Sequence, residues 1–78
     1  MREAVRLPQW GMGMSEGAIL EWYKAPGDAV TEDEPIALVE AAKIETELGA
    51  PYTGTLSEIV VTAGETVEVG TILAWIDT

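Results

Sequence analysis

An internal repeat constrains the fold of this chain more than any other feature of its sequence. Residues 17–40 align with residues 54–77 at a constant offset of 37, with five identical pairs. Those pairs are Gly17/Gly54, Glu21/Glu58, Gly27/Gly64, Val30/Val67 and Ala37/Ala74. The glycines at positions 27 and 64 lie between apolar runs, where turns are expected. The repeat therefore predicts two copies of one strand-turn-strand unit.

Short apolar runs separated by Gly, Pro, Asp and Glu predict strands, and a regular helical pattern is scarcely visible. The runs lie at about 3–8, 18–23, 36–41, 44–49, 55–61 and 72–77, with brief further strands around Val30 and Val67–Val69. Two similar four-stranded units that bury their apolar faces against each other predict an all-β flattened barrel, or barrel-sandwich hybrid, with a pseudo-two-fold axis.

Particular side chains can be assigned to the core from this strand pattern. Ile44, Thr46 and Leu48 alternate with glutamates, so we expect these three side chains to share a buried face. Trp22 and Trp75 lie within strand-like runs, and we expect both of them in the core.

Length and composition indicate one domain over residues 1–78. With 47 % hydrophobic residues, the chain can build a core and bury roughly 60–65 % of its extended surface. It has no cysteine, which excludes disulfides and thiolate nucleophiles. No apolar run approaches the ~20 residues of a membrane span, and Met1–Arg6 is too polar for a signal peptide. We therefore expect a cytoplasmic protein with no membrane partner, and an isolated domain that is monomeric.

The chain is strongly acidic, with 14 acidic residues, 4 basic residues and a formal net charge of −10. This charge repels phosphate backbones, so nucleic acid is not an expected partner. It favours encounters with positively charged protein surfaces, or alternatively it only supplies solubility. There is no histidine, and the acidic run Glu32–Glu34 lacks the spacing of a calcium loop. We therefore predict no metal site and no catalytic residue.

Lys43 is the candidate functional residue. It follows Glu40, Ala41 and Ala42 and precedes Ile44, at the point where one apolar run ends and the next begins. A type I turn tolerates most residues, so Ala41–Lys43 can reverse the chain without glycine. At the offset of the repeat, Lys43 corresponds to position 80, beyond Thr78. The lysine is then at one end of the domain and the termini are at the other, which suits a lysine that is covalently modified. An ordinary solvated surface lysine is the alternative.

The five residues Glu40–Ile44 resemble the modified turn of lipoyl and biotinyl carrier domains, and the similarity spans residues 5–77. The residues that match the lipoyl-domain pattern are Leu7, Pro8, Gly11, Met14, Glu16, Gly17, Trp22, Gly27, Asp28, Val30, Pro51, Gly54 and Gly64. The resemblance implies a target lysine, Lys43, on an exposed hairpin between two strands. It also implies that Glu40, Ala41, Ala42, Ile44, Gly27 and Gly54 contribute to the turn and to recognition by a ligase.

The resemblance leaves the prosthetic group open between lipoic acid and biotin. Lipoyl domains typically have Asp-Lys-Ala at the turn and biotinyl domains Met-Lys-Met, and Ala42-Lys43-Ile44 matches neither. Residues 11–17 and Trp22 resemble the lipoyl domains of 2-oxo acid dehydrogenase acyltransferases, which favours lipoic acid. The alternatives are a biotin carrier domain of a carboxylase or decarboxylase, and an unmodified barrel that serves as an adaptor.

The resemblance to lipoyl domains implies a non-catalytic swinging-arm domain that moves acyl groups and electrons between active sites. Its implied partners are a lipoyl ligase, a thiamine-diphosphate decarboxylase, an acyltransferase core and a flavin dihydrolipoyl dehydrogenase. By the same resemblance, the loop from Gln9 to Ser15 lies near the lysine. Trp10, Met12 and Met14 in this loop are candidates for partner recognition because exposed Trp and Met are common at interfaces. The alternative is that Trp10 and one methionine pack into the core.

Overall fold

A computed structural model describes residues 1–78 as strands joined by turns and loops. There are eight strands, which pair antiparallel throughout. In chain order they are β1 (Arg2–Arg6), β2 (Glu16–Trp22), β3 (Ala29–Val30), β4 (Pro35–Ala41), β5 (Ile44–Gly49), β6 (Gly54–Ile59), β7 (Thr66–Glu68) and β8 (Ile72–Asp77).

The strands form two four-stranded sheets with the same internal arrangement. Their orders are β1-β8-β6-β3 and β5-β4-β2-β7. The offset of 37 carries β2, β3 and β4 onto β6, β7 and β8, and β5 takes the place of β1. With these substitutions one sheet order becomes the other, which confirms the predicted pseudo-two-fold symmetry and the flattened barrel-sandwich fold. Each sheet ends in edge strands, so the barrel is not closed.

The repeat extends to the details of strand pairing. The register between β2 and β4 shifts between Ile19 and Glu21, and the register between β6 and β8 shifts between Leu56 and Glu58. These positions are 37 residues apart in each case. The two central strand pairs therefore contain the same β-bulge, which increases the local twist of each sheet in the same way.

Backbone hydrogen bonds between the two halves obey the same symmetry. The amide of Gly27 donates to the carbonyl of Leu56 at 2.7 Å, and the amide of Gly64 donates to the carbonyl of Ile19 at 2.6 Å. Both glycines have a left-handed backbone, with φ values of 99° and 98°, which glycine adopts without a Cβ clash. Each predicted turn glycine therefore holds a connection between the sheets against a strand of the sheet that the chain is about to enter.

The core lies between the sheets and receives side chains from both halves. Its 14 buried hydrophobic residues are Val5, Leu7, Ile19, Val30, Ile36, Ala37, Val39, Leu48, Ala50, Leu56, Val61, Leu73, Ala74 and Ile76. Trp22 packs against this core, and its indole N–H donates to the carbonyl of Val61 at 2.9 Å. The prediction for Trp75 was wrong. Its ring is only half-buried and lies under the guanidinium of Arg2, 4.8 Å from the ring centroid, because alternate positions of β8 face away from the core.

Two predicted strands end two residues earlier than the apolar pattern indicated. β1 stops at Arg6 because Leu7 leaves its ladder and bonds to Thr71, and Pro8 has no amide hydrogen to continue it. β6 stops at Ile59 because the next two amides, of Val60 and Val61, both donate to the carbonyl of Leu73. No helix in the structure could cross a membrane.

Candidate functional site

Lys43 lies in the turn of the hairpin formed by β4 and β5. Ala41 pairs with Ile44, so Ala42 and Lys43 alone form the loop. Their φ values are 52° and 67°, both in the left-handed region. The predicted type I turn is therefore wrong, because two positive φ values in a two-residue hairpin loop are the signature of a type I′ turn. That turn matches the right-handed twist of the flanking strands, which a type I turn would splay apart.

The hairpin occupies the place in one sheet that the chain termini occupy in the other. Met1 and Thr78 exchange hydrogen bonds, with the amino group of Met1 2.9 Å from the carbonyl of Thr78 and the amide of Thr78 2.7 Å from the carbonyl of Met1. This pair is equivalent to Ile44 and Ala41. β1 begins at this terminal pair and ends near the loop that borders the lysine hairpin. The lysine and the termini therefore lie at opposite ends of the domain, as the repeat predicted.

An apolar groove of about 300 Å³ lies beside the lysine turn. Its walls are the loop after β1 and the inner side of the hairpin, namely Trp10, Gly11, Met12, Gly13, Met14, Ala41, Ala42, Ile44 and Thr46. This confirms that the Gln9–Ser15 loop lies near Lys43. We call this feature the lysine-end groove.

The three predicted recognition residues occupy different positions along this groove. Met12 is fully exposed and Trp10 is 42 % exposed, whereas Met14 is half-buried and packs against the core. The side-chain amide of Gln9 donates to the carbonyl of Met14 at 3.1 Å, and the amide of Met14 donates to Gly11 at 3.2 Å. Met14 therefore anchors the loop, and Trp10 and Met12 remain available to a ligand.

The prediction that Ile44 is buried was wrong. Its side chain is 65 % exposed although it shares the inner face of β5 with Thr46 and Leu48. Leu48 lies within the core, whereas the tip of the hairpin extends past the last core residue of β4, Val39. Alternation along a strand gives the face of a residue, and here the length of the hairpin sets its exposure. Ile44 is thus an apolar side chain in the lysine-end groove.

Carboxylates surround the hairpin on its outer face. Glu40 and Glu45 are directly paired across the two strands next to the turn, and like charges in that arrangement are destabilising. The hydroxyl of Tyr23 donates to a carboxylate oxygen of Glu47 at 3.3 Å. Desolvation, followed by the charge of Glu47 and its hydrogen bond, raises the pKa of the Tyr23 hydroxyl. Lys43 is exposed and takes no part in the two ion pairs of the chain, Arg2–Glu58 and Lys24–Glu34.

Glu40, Ala41, Ala42 and Ile44 flank Lys43 directly, but Gly27 and Gly54 have neighbours in the other sheet. Gly27 bonds to Leu56, and a Cβ on Gly54 would overlap the carbonyl of Asp77. These two glycines are required by the fold, and the structure does not bring them to the lysine. Their contribution to ligase recognition stays a prediction. The structure contains no group of three or more acidic side chains that could hold a metal ion.

The groove itself was not predicted, although the sequence carries a signal for it. Leu7 and Ala50 are equivalent because each exchanges two backbone hydrogen bonds with its neighbouring turn, and Gly17 is equivalent to Gly54. Nine residues separate the first member of each pair, residues 8–16, against three, residues 51–53, in the second half. The loop that forms the groove is therefore a six-residue insertion into the repeat.

Comparison with known proteins is consistent with this geometry. The family model described as "Biotin-requiring enzyme", which covers biotin and lipoyl attachment domains, matches residues 3–76. A dihydrolipoyllysine-residue acetyltransferase component of the pyruvate dehydrogenase complex of Corynebacterium glutamicum is 42 % identical over 90 % of this chain and 10 % of its own length. The chain spans only 10–19 % of the length of such curated relatives.

Two solved structures show the same fold. The lipoyl domain of the 2-oxoglutarate dehydrogenase complex of Azotobacter vinelandii superimposes with a TM-score of 0.78 at 32 % identity, covering 96 % of this chain and 95 % of that one. The urea carboxylase of Kluyveromyces lactis superimposes with a TM-score of 0.83 at 26 % identity, covering 99 % of this chain and 6 % of that one. The chain therefore belongs to the biotin/lipoyl attachment family, and within it is similar to the lipoyl domains of 2-oxo acid dehydrogenase acyltransferases.

Proposed function

We propose that this domain carries lipoic acid on Lys43 and moves acyl groups and electrons between the active sites of a 2-oxo acid dehydrogenase complex. The observation that carries the proposal is the position of Lys43. It lies in the two-residue turn of an exposed hairpin, at the end of the domain opposite both termini. A tether at either terminus would leave the lysine free to enter another active site.

The residues around Lys43 suit an amide-linked apolar arm. The amine is exposed and not in an ion pair, so a ligase can reach it without breaking an interaction. In the ligase reaction ATP activates the carboxyl group of lipoic acid as an acyl adenylate, and deprotonated Nζ attacks the carboxyl carbon and displaces AMP. The amide that forms has no positive charge, which changes the formal net charge from −10 to −11. The apolar groove beside the turn offers the arm a surface that contains no charged side chain.

The bound lipoyl group supplies a disulfide that accepts an acyl group and is later reoxidised, and the protein supplies presentation and recognition. The proposed partners are a lipoyl ligase, a thiamine-diphosphate decarboxylase, an acyltransferase core and a flavin dihydrolipoyl dehydrogenase. Because the arm is tethered, its effective concentration at each site is high. Trp10 and Met12, which are exposed beside the lysine, are the proposed contacts with the decarboxylase. We assign no catalytic step to this chain.

Biotin is the second candidate for the prosthetic group, and the similarity to a urea carboxylase favours it. The domain would then carry a carboxyl group in a carboxylase. The hairpin alone does not separate the two groups, because both attach through an amide to a lysine in such a turn. The greater identity to lipoyl-domain relatives favours lipoic acid.

The test is intact-mass analysis after incubation with ATP and either lipoyl ligase with lipoic acid or biotin ligase with biotin. We expect one lipoyl addition, mapped to Lys43, and no biotin addition. Lys24 is an internal control because it is the other lysine of the chain and is paired with Glu34 at 3.2 Å. Lys43→Arg should abolish the addition.

A second variant tests the placement of the lysine within the turn. The double substitution Ala42→Lys with Lys43→Ala keeps one lysine in the loop but moves it by one position. We expect no modification of this variant, with its fold intact by circular dichroism. Biotin at Lys43 would replace the acyl-carrier proposal with carboxyl transfer, and a chain that neither ligase modifies would leave only an adaptor role.

A further inference from the structure

We propose that the lysine-end groove binds the apolar chain of the arm carried by the domain's own Lys43. The arm would dock against Trp10, Met12, Met14 and Ile44 between visits to partner active sites. This inference rests on the proposed function, since it gives the prosthetic arm a resting site on its own carrier. The ligand that we expect in the groove is an uncharged aliphatic chain attached at position 43.

The groove lies directly beside the attachment residue. Ala42 and Ile44, the two residues that flank Lys43 in the chain, both line it. An arm attached to Lys43 therefore has to fold back only over its nearest neighbours to enter the groove. Any other ligand would first have to diffuse to the site, whereas a tethered chain is present there at high effective concentration.

The walls of the groove are uncharged. The nine lining residues include no charged side chain, although the domain carries a net charge of −10. The glutamates of the hairpin, Glu40 and Glu45, alternate with Ala41 and Ile44 and so point to the outer face. Free Lys43 has no counter-ion in such a groove. Placing the charged amine against an apolar surface would cost free energy because the charge loses its hydration. The amide formed on modification is uncharged and avoids this desolvation cost.

The groove continues the hydrophobic core. Val39 and Thr46 pair next to Ala41 and Ile44 on the inner face of the hairpin, and Val39 is fully buried. Ile44 extends this face past the end of the core and is left 65 % exposed. Met14 closes the opposite wall and packs against the core. An aliphatic chain in the groove would cover Ile44 and so extend the buried apolar contacts of the core toward the lysine turn.

This chain departs from the typical lipoyl turn at the residues that matter for docking. Where lipoyl domains typically have Asp before and Ala after the lysine, this chain has Ala42 and Ile44. Both differences make the groove more apolar. The volume of about 300 Å³ is at the lower end of the range for ligand pockets, and it suits a single alkyl chain rather than a bulky molecule.

The experiment attaches an arm without any ligase, so that its result does not depend on the proposed function. The chain has no cysteine, and Lys43→Cys therefore creates a unique thiol. Alkylation with N-octyl iodoacetamide places an eight-carbon chain on position 43, and alkylation with iodoacetamide supplies the matched control without the chain. Both conjugates are compared by two-dimensional ¹H–¹⁵N and ¹H–¹³C NMR.

We expect the octyl conjugate to shift the indole N–H of Trp10 and the methyl groups of Ile44, Met12 and Met14, with cross-relaxation between these protons and the octyl methylenes. The iodoacetamide conjugate should leave these signals unchanged. Adding Ile44→Ser should remove the octyl cross-peaks. Adding Val60→Ser, which removes a 47 % exposed apolar side chain outside the groove, should retain them.

An octyl chain that gives narrow, unshifted signals and no cross-peaks to the groove would overturn the proposal and leave the groove for a partner protein. Cross-peaks from the octyl methylenes to residues outside the groove, in place of those to Trp10, Met12 and Ile44, would overturn it equally, because the chain would then be bound elsewhere. Failure of lipoyl ligase to modify Lys43 would contradict the proposed function without deciding the thiol experiment. If Lys43 is lipoylated, the same cross-peaks are expected from its lipoyl chain.

Discussion

The two ends of the domain are related by the repeat. They differ in whether the last two strands are joined by a turn. At one end the type I′ turn of Ala42 and Lys43 joins β4 to β5, while at the other the equivalent strands β8 and β1 end in the chain termini. The loop that follows β1 toward the lysine end is six residues longer than its equivalent after β5. We call these the lysine end and the terminal end.

The comparison separates two groups of residues. Some belong to the pair of sheets that both halves of the repeat share, which we call the frame, and others occur in one half only. Equivalent positions that hold the sheets together are alike, as in the bulges at Ile19/Glu21 and Leu56/Glu58. Equivalent positions at the two ends are unlike, and the added loop places Trp10, Met12 and Met14 beside the lysine. The frame alone would give a symmetric barrel. The asymmetry provides one accessible lysine with a groove next to it.

The largest expected effect comes from the glycine that packs most tightly at the terminal end. A Cβ at position 54 would overlap the backbone carbonyl of Asp77, which cannot move without disturbing β8. Gly54→Ala should cost about 3 kcal/mol in the free energy of unfolding. The equivalent Gly17→Ala at the lysine end meets a side-chain methyl of Val39 at 3.1 Å instead of backbone, and should cost about 1 kcal/mol. Urea unfolding of both variants measures the difference, and equal losses would contradict it.

The second prediction makes the lysine end resemble the terminal end. Replacing residues 8–16 with the Pro-Tyr-Thr sequence of residues 51–53 should leave a cooperatively folding domain. We expect a loss of about 1 kcal/mol, since the partial burial of Met14 disappears. Ligase modification should persist and acylation by the decarboxylase should be lost. Mass analysis and thermal unfolding check these outcomes. Full acylation of the shortened domain would show that the loop is not a recognition element.

The third prediction concerns strain in the lysine turn, which has no counterpart at the terminal end. Ala42 has a φ of 52°, and alanine is disfavoured there relative to asparagine, whose short polar side chain can hydrogen-bond to the local backbone. Ala42→Asn should therefore stabilise the domain by about 0.5–1 kcal/mol. The control is Ala63→Asn in the turn before β7, where φ is not positive and no gain is expected. Chemical denaturation of both variants gives the comparison.

The smallest expected effect is a pH dependence in a turn that belongs to the frame. The hydroxyl and amide of Thr62 donate to the Glu65 carboxylate at 2.8 and 2.7 Å and lower its pKa. Because the folded pKa lies below the unfolded one, the stabilisation is fully present above the ordinary carboxyl pKa and is lost as pH falls through the folded value. Glu65→Gln should flatten this part of the curve of unfolding free energy against pH. An unchanged curve between pH 6 and about 3 would contradict the assignment.

Much of the fold was predictable because the signals were local and repeated. All eight strands follow from short apolar runs and turn residues, and the offset of 37 identified which strands are equivalent. Sequence periodicity did not predict the burial of a side chain where that burial depends on whether another part of the fold covers the strand. Ile44 and Trp75 both occupy strand positions of ordinary pattern, but one extends past the core and the other faces away from it.

The site was predictable in its residues and not in its shape. The motif around Lys43 and the loop from Gln9 to Ser15 identified the residues that form it. Their joint groove required the loop to fold back across the hairpin, which depends on Met14 packing against the core. The turn type also required the structure, because the twist of β4 and β5, not the identity of Ala42, sets the sign of φ.

The sequence by itself determined the repeat, the strands, the glycine turns and the single lysine at the end opposite the termini. These follow from side-chain periodicity and from glycine's freedom to adopt positive φ, which are properties of neighbouring residues. Only the tertiary structure decided that the lysine turn is type I′, that Ile44 is exposed and that an apolar groove lies beside the attachment lysine. Those features arise where two distant segments meet, and contacts between residues some thirty positions apart are not encoded in either segment alone.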